Sequence, residues 1–510
     1  MARRFRFLFS AVAVMATAIM TLGTPSVSAA SFVDGLDATF EQALIDRGYD
    51  TGAVDGKIST STLQSISSLD LSNTTFSTLG SGIGWSIFSN LYSLNLSGNT
   101  AITNLSDYPT TWPSSLRILN ISGMTELTVF RYTALDFTDY QTASYGPGLF
   151  QLITGNNPKI VEFDLNYSKI TSLDLSSMTA LRSLWISESQ LPTLNVSNLP
   201  NLKYLSLTDN PLTTVTLSNL PVLENLTLIR NALTTIDVSG LTNLRDLNVG
   251  SNNLTSLNLQ QNVSLESVQA SNNLITSITL PPNSPINRIN LSNNRISSID
   301  VSVFSLLRSL NLSNNRLRSI DVSKNTALTT LSVENNQIKA IDLSKNQSLA
   351  FLNVSSNKIK TLSLTTITRL SSLSAANNQL SRLDLKGLNG LQYLNVRSNR
   401  IKAIDISSAK GLSQIDLSNN KIKKADFSAF PSLFRIKIAR NPLTQLKLRP
   451  VVGFASELDI RSTNLKTLDL RTSAPGMLYA NGNIRIRVAD PVGSLLDWET
   501  TLGKDVKLTK

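Results

Sequence analysis

Eight aspartates stand at one position of a 21-residue period: Asp174, Asp237, Asp300, Asp321, Asp342, Asp384, Asp405 and Asp426. A row of carboxylates is the chemistry of cation binding or, where two converge in a pocket, of general acid–base catalysis. The 510-residue composition narrows this at once, because histidine is absent. That removes the usual general base, His-containing zinc sites and every His-dependent triad. An enzyme using carboxylates alone would need two of them to meet outside the repeat register. The row is followed mostly by Ser or Lys within two residues and is open to water, so it reads as solvated turn residues. No catalytic residue, metal or cofactor is assigned.

A second periodic set is basic. Arg295, Arg316, Arg318, Lys339, Lys358, Lys360, Arg400, Lys402, Lys421 and Lys423 occupy two positions of the same period, two residues apart. The whole chain carries +11, unevenly placed: residues 30–285 hold 10 Lys+Arg against 20 Asp+Glu, or −10, and residues 286–450 hold 25 against 8, or +17. Stacked, these cations form a stripe whose potential attracts an extended polyanion such as teichoic acid, lipopolysaccharide phosphate or a sulfated glycan. Nucleic acid fits poorly, because no aromatics interleave with the stripe to stack bases.

The element that must position both sets is the period itself. From residue 160 to 453 the pattern L-x-x-L-x-L-x-x-N-x-L-x-x-L-x-L, with five looser residues after it, runs fourteen times without insertion, from Ile160, Leu181 and Leu202 to Leu433. A period held that strictly means equal coils stacked in register. Numbered from the first apolar residue, apolar side chains fall at positions 1, 4 and 6 and again at 11, 14 and 16. Leu-x-Leu alternation is the period-2 signature of a strand, and five residues are too few for an ordinary helix. The expected coil has a strand on one side and short extended or turn segments on the other. Position 9 is Asn in twelve consecutive coils, Asn210, Asn231, Asn252, Asn273, Asn294, Asn315, Asn336, Asn357, Asn378, Asn399, Asn420 and Asn441, with Ser168 and Ser189 opening the series. Where the backbone leaves its strand and turns inward, a buried carboxamide offers both donors and an acceptor to groups without ladder partners.

This motif resembles that of leucine-rich-repeat proteins, and its doubled 21-residue form resembles the short bacterial class of secreted and internalin-like proteins. The resemblance implies a β-rich solenoid of about 17 coils with parallel strands on the concave face, a small helical N-terminal cap and a β or irregular C-terminal cap. It also implies a secreted adhesion or interaction protein at the cell surface, and no enzyme. The same solenoid serves many partners, so the motif names none.

Positions 3, 5 and 7 face out from the main strand, and in the middle of the chain they are a plain run of Asn and Ser. Exceptions cluster early. Glu162, Asp164, Tyr167, Trp185, Tyr204 and Ile229 make an acidic and aromatic candidate for contact with a protein partner. Just before them, residues 125–158 form the long unpatterned segment, with Phe130, Tyr132, Phe137, Tyr140, Tyr145 and Phe150. It reads either as a binding loop or as degenerate repeats whose aromatics fill the core.

Residues 1–30 carry Arg3, Arg4 and Arg6, an apolar run from Phe7 to about Leu22 and small residues at Ala29-Ala30, which is a secretory signal peptide. Residues 31–68 form the helical cap, with Leu36, Phe40, Ala43 and Leu44 on one helical face, Asp34 or Asp37 at its start and Gly48 at its end. Irregular repeats over 69–159 begin at Leu91 and Leu116, 25 and then 44 residues before the next. The fourteen regular coils are followed by a last repeat over 454–470 and a cap over 471–510, where Leu495, Leu496 and Trp498 cover the open end of the core. No other segment is long enough to span a bilayer. Without cysteine there are no disulfide-bonded caps, which favours a bacterial exported protein. The expected mature form is an extracellular monomer.

Overall fold

In each regular coil the side chains at positions 1, 4 and 6 are buried, as Leu307, Leu310 and Leu312 are at 0% exposure. Burial of that kind stabilises by roughly 1.5–3 kcal/mol per side chain, and the alternation between buried and outward residues extends the backbone. Ser309–Asn311 is such a strand, paired in parallel with the strands of the coils before and after it. Every partner along the regular region is 21 residues away, from Glu162↔Ser183 to Gln414↔Arg435. The strands form one parallel sheet running from Asn104–Leu105 to Met477–Tyr479, and among the described residues these two end strands each have a single neighbour. The computed structural model describes residues 31–510 except 81–82, 107–111, 134–147, 451–455, 474, 488–501, 504 and 510. The proposed signal peptide, and Leu495, Leu496 and Trp498, lie outside the described residues. The molecule is a β-solenoid of about 19 turns, close to the expected count.

The second half of each coil buries positions 11, 14, 16 and 19 less uniformly and pairs only in short pieces, such as Thr193–Asn195 with Thr214–Thr216 and Lys424–Asp426 with Gln445–Lys447. One side of the solenoid is thus closed by a continuous hydrogen-bonded ladder at the ~4.8 Å strand spacing. The other side is free to open, and the sheet side becomes concave.

Position 9 supplies the seam. Asn315 donates from Nδ2 to the carbonyls of Leu291 (2.9 Å) in the previous coil and Leu312 (3.1 Å) in its own, and its Oδ1 accepts from Ile296 N (2.9 Å). The same three bonds recur at Asn336, Asn357 and Asn420. Asn231 donates to the carbonyls of Leu207 (2.7 Å) and Ile229 (3.3 Å), but its buried Oδ1 has no partner. A second, sparser column at position 19 was not anticipated: Asn262, Asn325 and Asn346 are fully buried and donate to carbonyls one coil back. One residue before the seam, position 8 has positive φ in all fourteen regular coils, from Tyr167 (56°) to Arg440 (54°). That left-handed residue turns the chain from the sheet toward the convex side.

The early coils have a different register from the one expected. Leu91 and Leu116 do not open main-sheet strands; Ser93–Asn95 and Ile118–Asn120 belong to a separate sheet that continues into Gln151–Ile153. That sheet leads to the convex column, since Thr154 Oγ1 donates to the Asp174 carbonyl and Lys169 N to the Leu149 carbonyl. The main sheet instead takes Asn104–Leu105, Val129–Thr133 and Glu162–Asn166. At the C-terminal end the solenoid continues past residue 471: Met477–Tyr479 extends the main sheet, and Arg485–Arg487 pairs with Thr467–Asp469 and Lys507–Thr509.

The N-terminal cap is a helix, Ala38–Asp46, whose first N–H groups, at Thr39 and Phe40, are capped by Asp37. Strand Lys57–Ser59 returns antiparallel to Phe32–Asp34. The turn between them is held from within by fully buried Glu41, which accepts from Asp55 N (3.0 Å) and Gly56 N (2.8 Å).

Candidate functional site

Two surfaces of opposite character lie on this scaffold. On the concave sheet, strand register places Arg131, Asp164, Trp185 and Ser206 in one row across four coils, and Glu162, Ser183 and Tyr204 in the row beside it. Side chains two apart on a strand share a face, so both rows project outward. Trp185 is 36% exposed and Tyr204 40% exposed. Arg131 Nη2 is 2.7 Å from Glu162 Oε2, and burial raises the Asp164 carboxyl above its ordinary pKa although Asn166 Nδ2 donates to it. A hollow of about 460 Å³ opens here, lined by Arg131, Asp164, Trp185, Ser187, Ser206 and Thr208.

Four of the six residues singled out by sequence therefore come together, Glu162, Asp164, Trp185 and Tyr204. Tyr167 sits at the left-handed position 8, off the strand face, and Ile229 at position 7, just beyond the end of strand Asn225–Thr227; both are half-buried. Arg131 joins the patch from a strand whose membership the motif concealed. Its backbone carbonyl accepts from Trp112 Nε1 (2.9 Å), and Trp112 stacks on Trp85 with ring centroids 6.0 Å apart. The segment 125–158 divides. Phe130 and Tyr132 are core residues, Phe150 is 55% exposed, and Phe137, Tyr140 and Tyr145 lie outside the described residues.

The second surface is the basic stripe. All ten of its residues are exposed. Backbone bonds stack them: Arg316 N donates to Ile296 O, Lys358 N to Ile338 O and Arg400 N to Leu380 O, each at 2.8 Å. The buried apolar residue at position 11 lies between positions 10 and 12, so the two columns of cations flank it. Among the described residues none of the ten has an ion-pair partner within 4.0 Å, whereas early cations are paired, as in Lys203–Glu224 (3.2 Å) and Arg245–Glu266 (2.9 Å).

The aspartate row is accounted for locally. Each of the eight accepts from the backbone N–H two residues on, as Asp300 does from Ser302 (2.8 Å) and Asp384 from Lys386 (2.9 Å). Bonds from the backbone and hydroxyl of that serine hold Asp300, Asp321 and Asp342 below the ordinary carboxylate pKa. Among the described residues no group of three or more Asp or Glu is placed to hold a metal ion. A cleft of about 510 Å³ on the convex side, which sequence did not suggest, opens beside Phe427 and Phe430 and is rimmed by Lys410, Lys424 and Lys447.

Residues 389–443 match the family model described as Leucine rich repeat. The fold is a leucine-rich-repeat solenoid. Similar solved structures include the functional domain of InlJ from Listeria monocytogenes, which includes a cysteine ladder (TM-score 0.52, 21% identity, 91% of this chain and 83% of that one). The plant peptide hormone receptor RGFR1 in complex with RGF2 is similar at a TM-score of 0.57 and 17% identity over 86% of this chain and 80% of that one. YopM from Yersinia enterocolitica is similar at a TM-score of 0.50 and 22% identity, over 82% and 92%. No curated protein matches the sequence. Among the described residues no helix is long and apolar enough to cross a membrane.

Proposed function

We propose that this chain is a secreted, non-catalytic binding protein that engages another protein at a cell surface through its early concave patch. The observation that carries this reading is the pair of exposed aromatics, Trp185 and Tyr204, on adjacent strands of a rigid sheet. Large aromatic faces beside buried or ion-paired polar groups are the usual anchors of protein interfaces. A solenoid of similar fold, RGFR1, has been solved with a peptide bound, which agrees with a protein or peptide ligand.

The test is binding of the purified chain to washed bacterial and host cells in 0.5 M salt, roughly three times physiological ionic strength, with and without prior protease treatment of the cells. Saturable binding that protease removes, and that Trp185→Ala with Tyr204→Ala weakens by on the order of thirtyfold or more, is the expected result. Binding unchanged in the double variant, or unchanged on protease-treated cells, would sink the reading.

A further inference from the structure

The ten-residue basic stripe has no part in that patch. It begins at Arg295, in the seventh regular coil, and ends at Lys423, in the thirteenth. Coils spaced at ~4.8 Å make it roughly 30 Å long. Four features distinguish it from ordinary surface charge. Its columns are stacked by backbone hydrogen bonds, its side chains are exposed, none is ion-paired among the described residues, and positions 10 to 13 of these seven coils contain no acidic residue. The nearest carboxylates, at position 15, already accept backbone N–H groups in their own turns. Charge placed merely to keep a surface wetted mixes both signs, as the first half of this molecule does.

The neighbouring column refines the ligand. Across the buried Asn seam from position 10, position 8 presents Asn293, Asn314, Asn335, Ser356, Asn377, Ser398 and Asn419, the five Asn exposed and Ser356 and Ser398 half-buried. This is a continuous row of neutral hydrogen-bonding groups beside columns that carry at least one cation in six of the seven coils. No aromatic stands at positions 8, 10 or 12 of these coils, so nothing is available to stack a base. The coil that begins at Leu370 has Gln379 and Ser381 in place of cations, a gap that a flexible chain can bridge.

We infer that the stripe is a binding site for a linear, hydroxyl-rich polymer bearing phosphate or sulfate esters. The esters lie along positions 10 and 12, and the hydroxyls meet the carboxamides and hydroxyls of position 8. The site is independent of the concave patch, so either can stand without the other. Poly(glycerol phosphate) and dextran sulfate are the probes that separate the two ester chemistries, with single-stranded poly(dT) as the base-bearing control.

Affinity of the full chain is measured by fluorescence anisotropy across a salt series. The stripe variant combines Arg318→Gln, Lys339→Gln, Lys360→Gln and Lys402→Gln. Its control removes four exposed lysines elsewhere on the same region, Lys324→Gln, Lys345→Gln, Lys386→Gln and Lys410→Gln, for the same change in net charge. Expected is binding of at least one ester polymer, stronger than poly(dT), that falls on the order of tenfold or more in the stripe variant and about twofold in the control. Equal losses in the two variants would show that net charge alone attracts the polymer and would overturn the site. So would poly(dT) binding as tightly as both ester polymers, or no binding of either. Because all eight substituted residues are exposed, unchanged thermal melting is the check that both variants fold.

Discussion

At position 8 the early coils carry Tyr167, Glu188, Asp209 and Arg230, and the late coils carry Asn293, Asn314, Asn335, Ser356, Asn377, Ser398 and Asn419, all with φ between 49° and 58°. Asn adopts that left-handed conformation more readily than other side chains with a β-carbon, because its short polar group bonds locally. Most coils of the stripe therefore follow the backbone's preference with Asn, whereas Tyr167, Glu188 and Arg230 in the early coils, and Arg440 in the last one, hold bulky or charged side chains against it. Charge shows the same division. Several early cations sit in pairs, among them Arg230 with Asp209 and Arg131 with Glu162, while among the described residues the late stripe is unpaired and of one sign. Two regions with one backbone thus differ in what shaped their surfaces. The late coils repeat, and their properties add along the axis. The early coils depart from the repeat at the patch, the rim and the inserted segment together, as a specific contact site would.

The largest expected break in this comparison is at the Asn seam. Asn336→Ala removes donors to Leu312 O and Val333 O and the acceptor for Leu317 N, all buried. It should destabilise by about 2–4 kcal/mol. Asn231→Ala removes only donor bonds and also removes an orphaned buried oxygen, so its loss should be smaller by about 1 kcal/mol. Urea unfolding midpoints measure both. Equal losses would mean that the orphaned oxygen is paired in solution and that the early seam is as complete as the late one.

A smaller effect is expected at position 8 and should have opposite signs in the two regions. Glu188→Asn should stabilise by about 0.5–1 kcal/mol and Asn314→Glu should destabilise by about the same amount, because each exchange moves the residue toward or away from the left-handed preference. Glu188→Asn that instead destabilises would assign the early rim a structural reason for its departures, and would remove them as a sign of specialised binding.

The period, the strand and the Asn seam were legible because each is a local pattern repeated at one spacing, and repetition converts local preference into stacking. The early register was not legible for a physical reason: both halves of the coil carry the same spacing of buried positions, 1, 4, 6 and 9 against 11, 14, 16 and 19. Leu91, Leu94, Leu96 and Asn99 satisfy the first set, yet they stack on the second. Only the count of residues between columns distinguishes the halves, and the intervals of 25 and 44 residues that follow Leu91 and Leu116 depart from the period of 21. Arg131 was missed for this reason. Tyr167 stands at position 8, one residue past the last outward strand position, and the left-handed turn there takes it off the strand. The aspartates at position 15 were readable as turn residues from the serine that follows two residues later. What sequence pattern could not express was the absence of partners around the basic stripe, which depends on neighbours 21 residues away.

Acid titration gives the finest separation of the patch from the repeat, since the Asp164 carboxyl is raised while aspartates at position 15 are lowered in both regions, Asp174 and Asp237 as well as Asp321. Asp164 is raised by burial, so its ionised form is penalised in the fold. That penalty is absent below the unfolded value of about 3.8, grows as pH rises toward the folded value and is complete above it. Asp164→Asn should therefore raise stability at pH 7 relative to the parent, with the gain vanishing at low pH. Asp321 is lowered by bonds from Ser323, so its contribution is present above the unfolded value and is lost as pH falls through the folded one. Asp321→Asn should lose stability at pH 7 and match the parent in acid. At Asp469, held at about 2 by the Arg471 side chain, the loss would come only in strong acid. Carbon-detected NMR titration of the three carboxyls orders them directly: Asp164 above the ordinary value, Asp321 below it and Asp469 near 2. If Asp164 titrated below the ordinary value, the hollow would be well solvated, the aromatic patch beside it would lose its water-excluded setting, and the early coils would differ from the late ones in composition only.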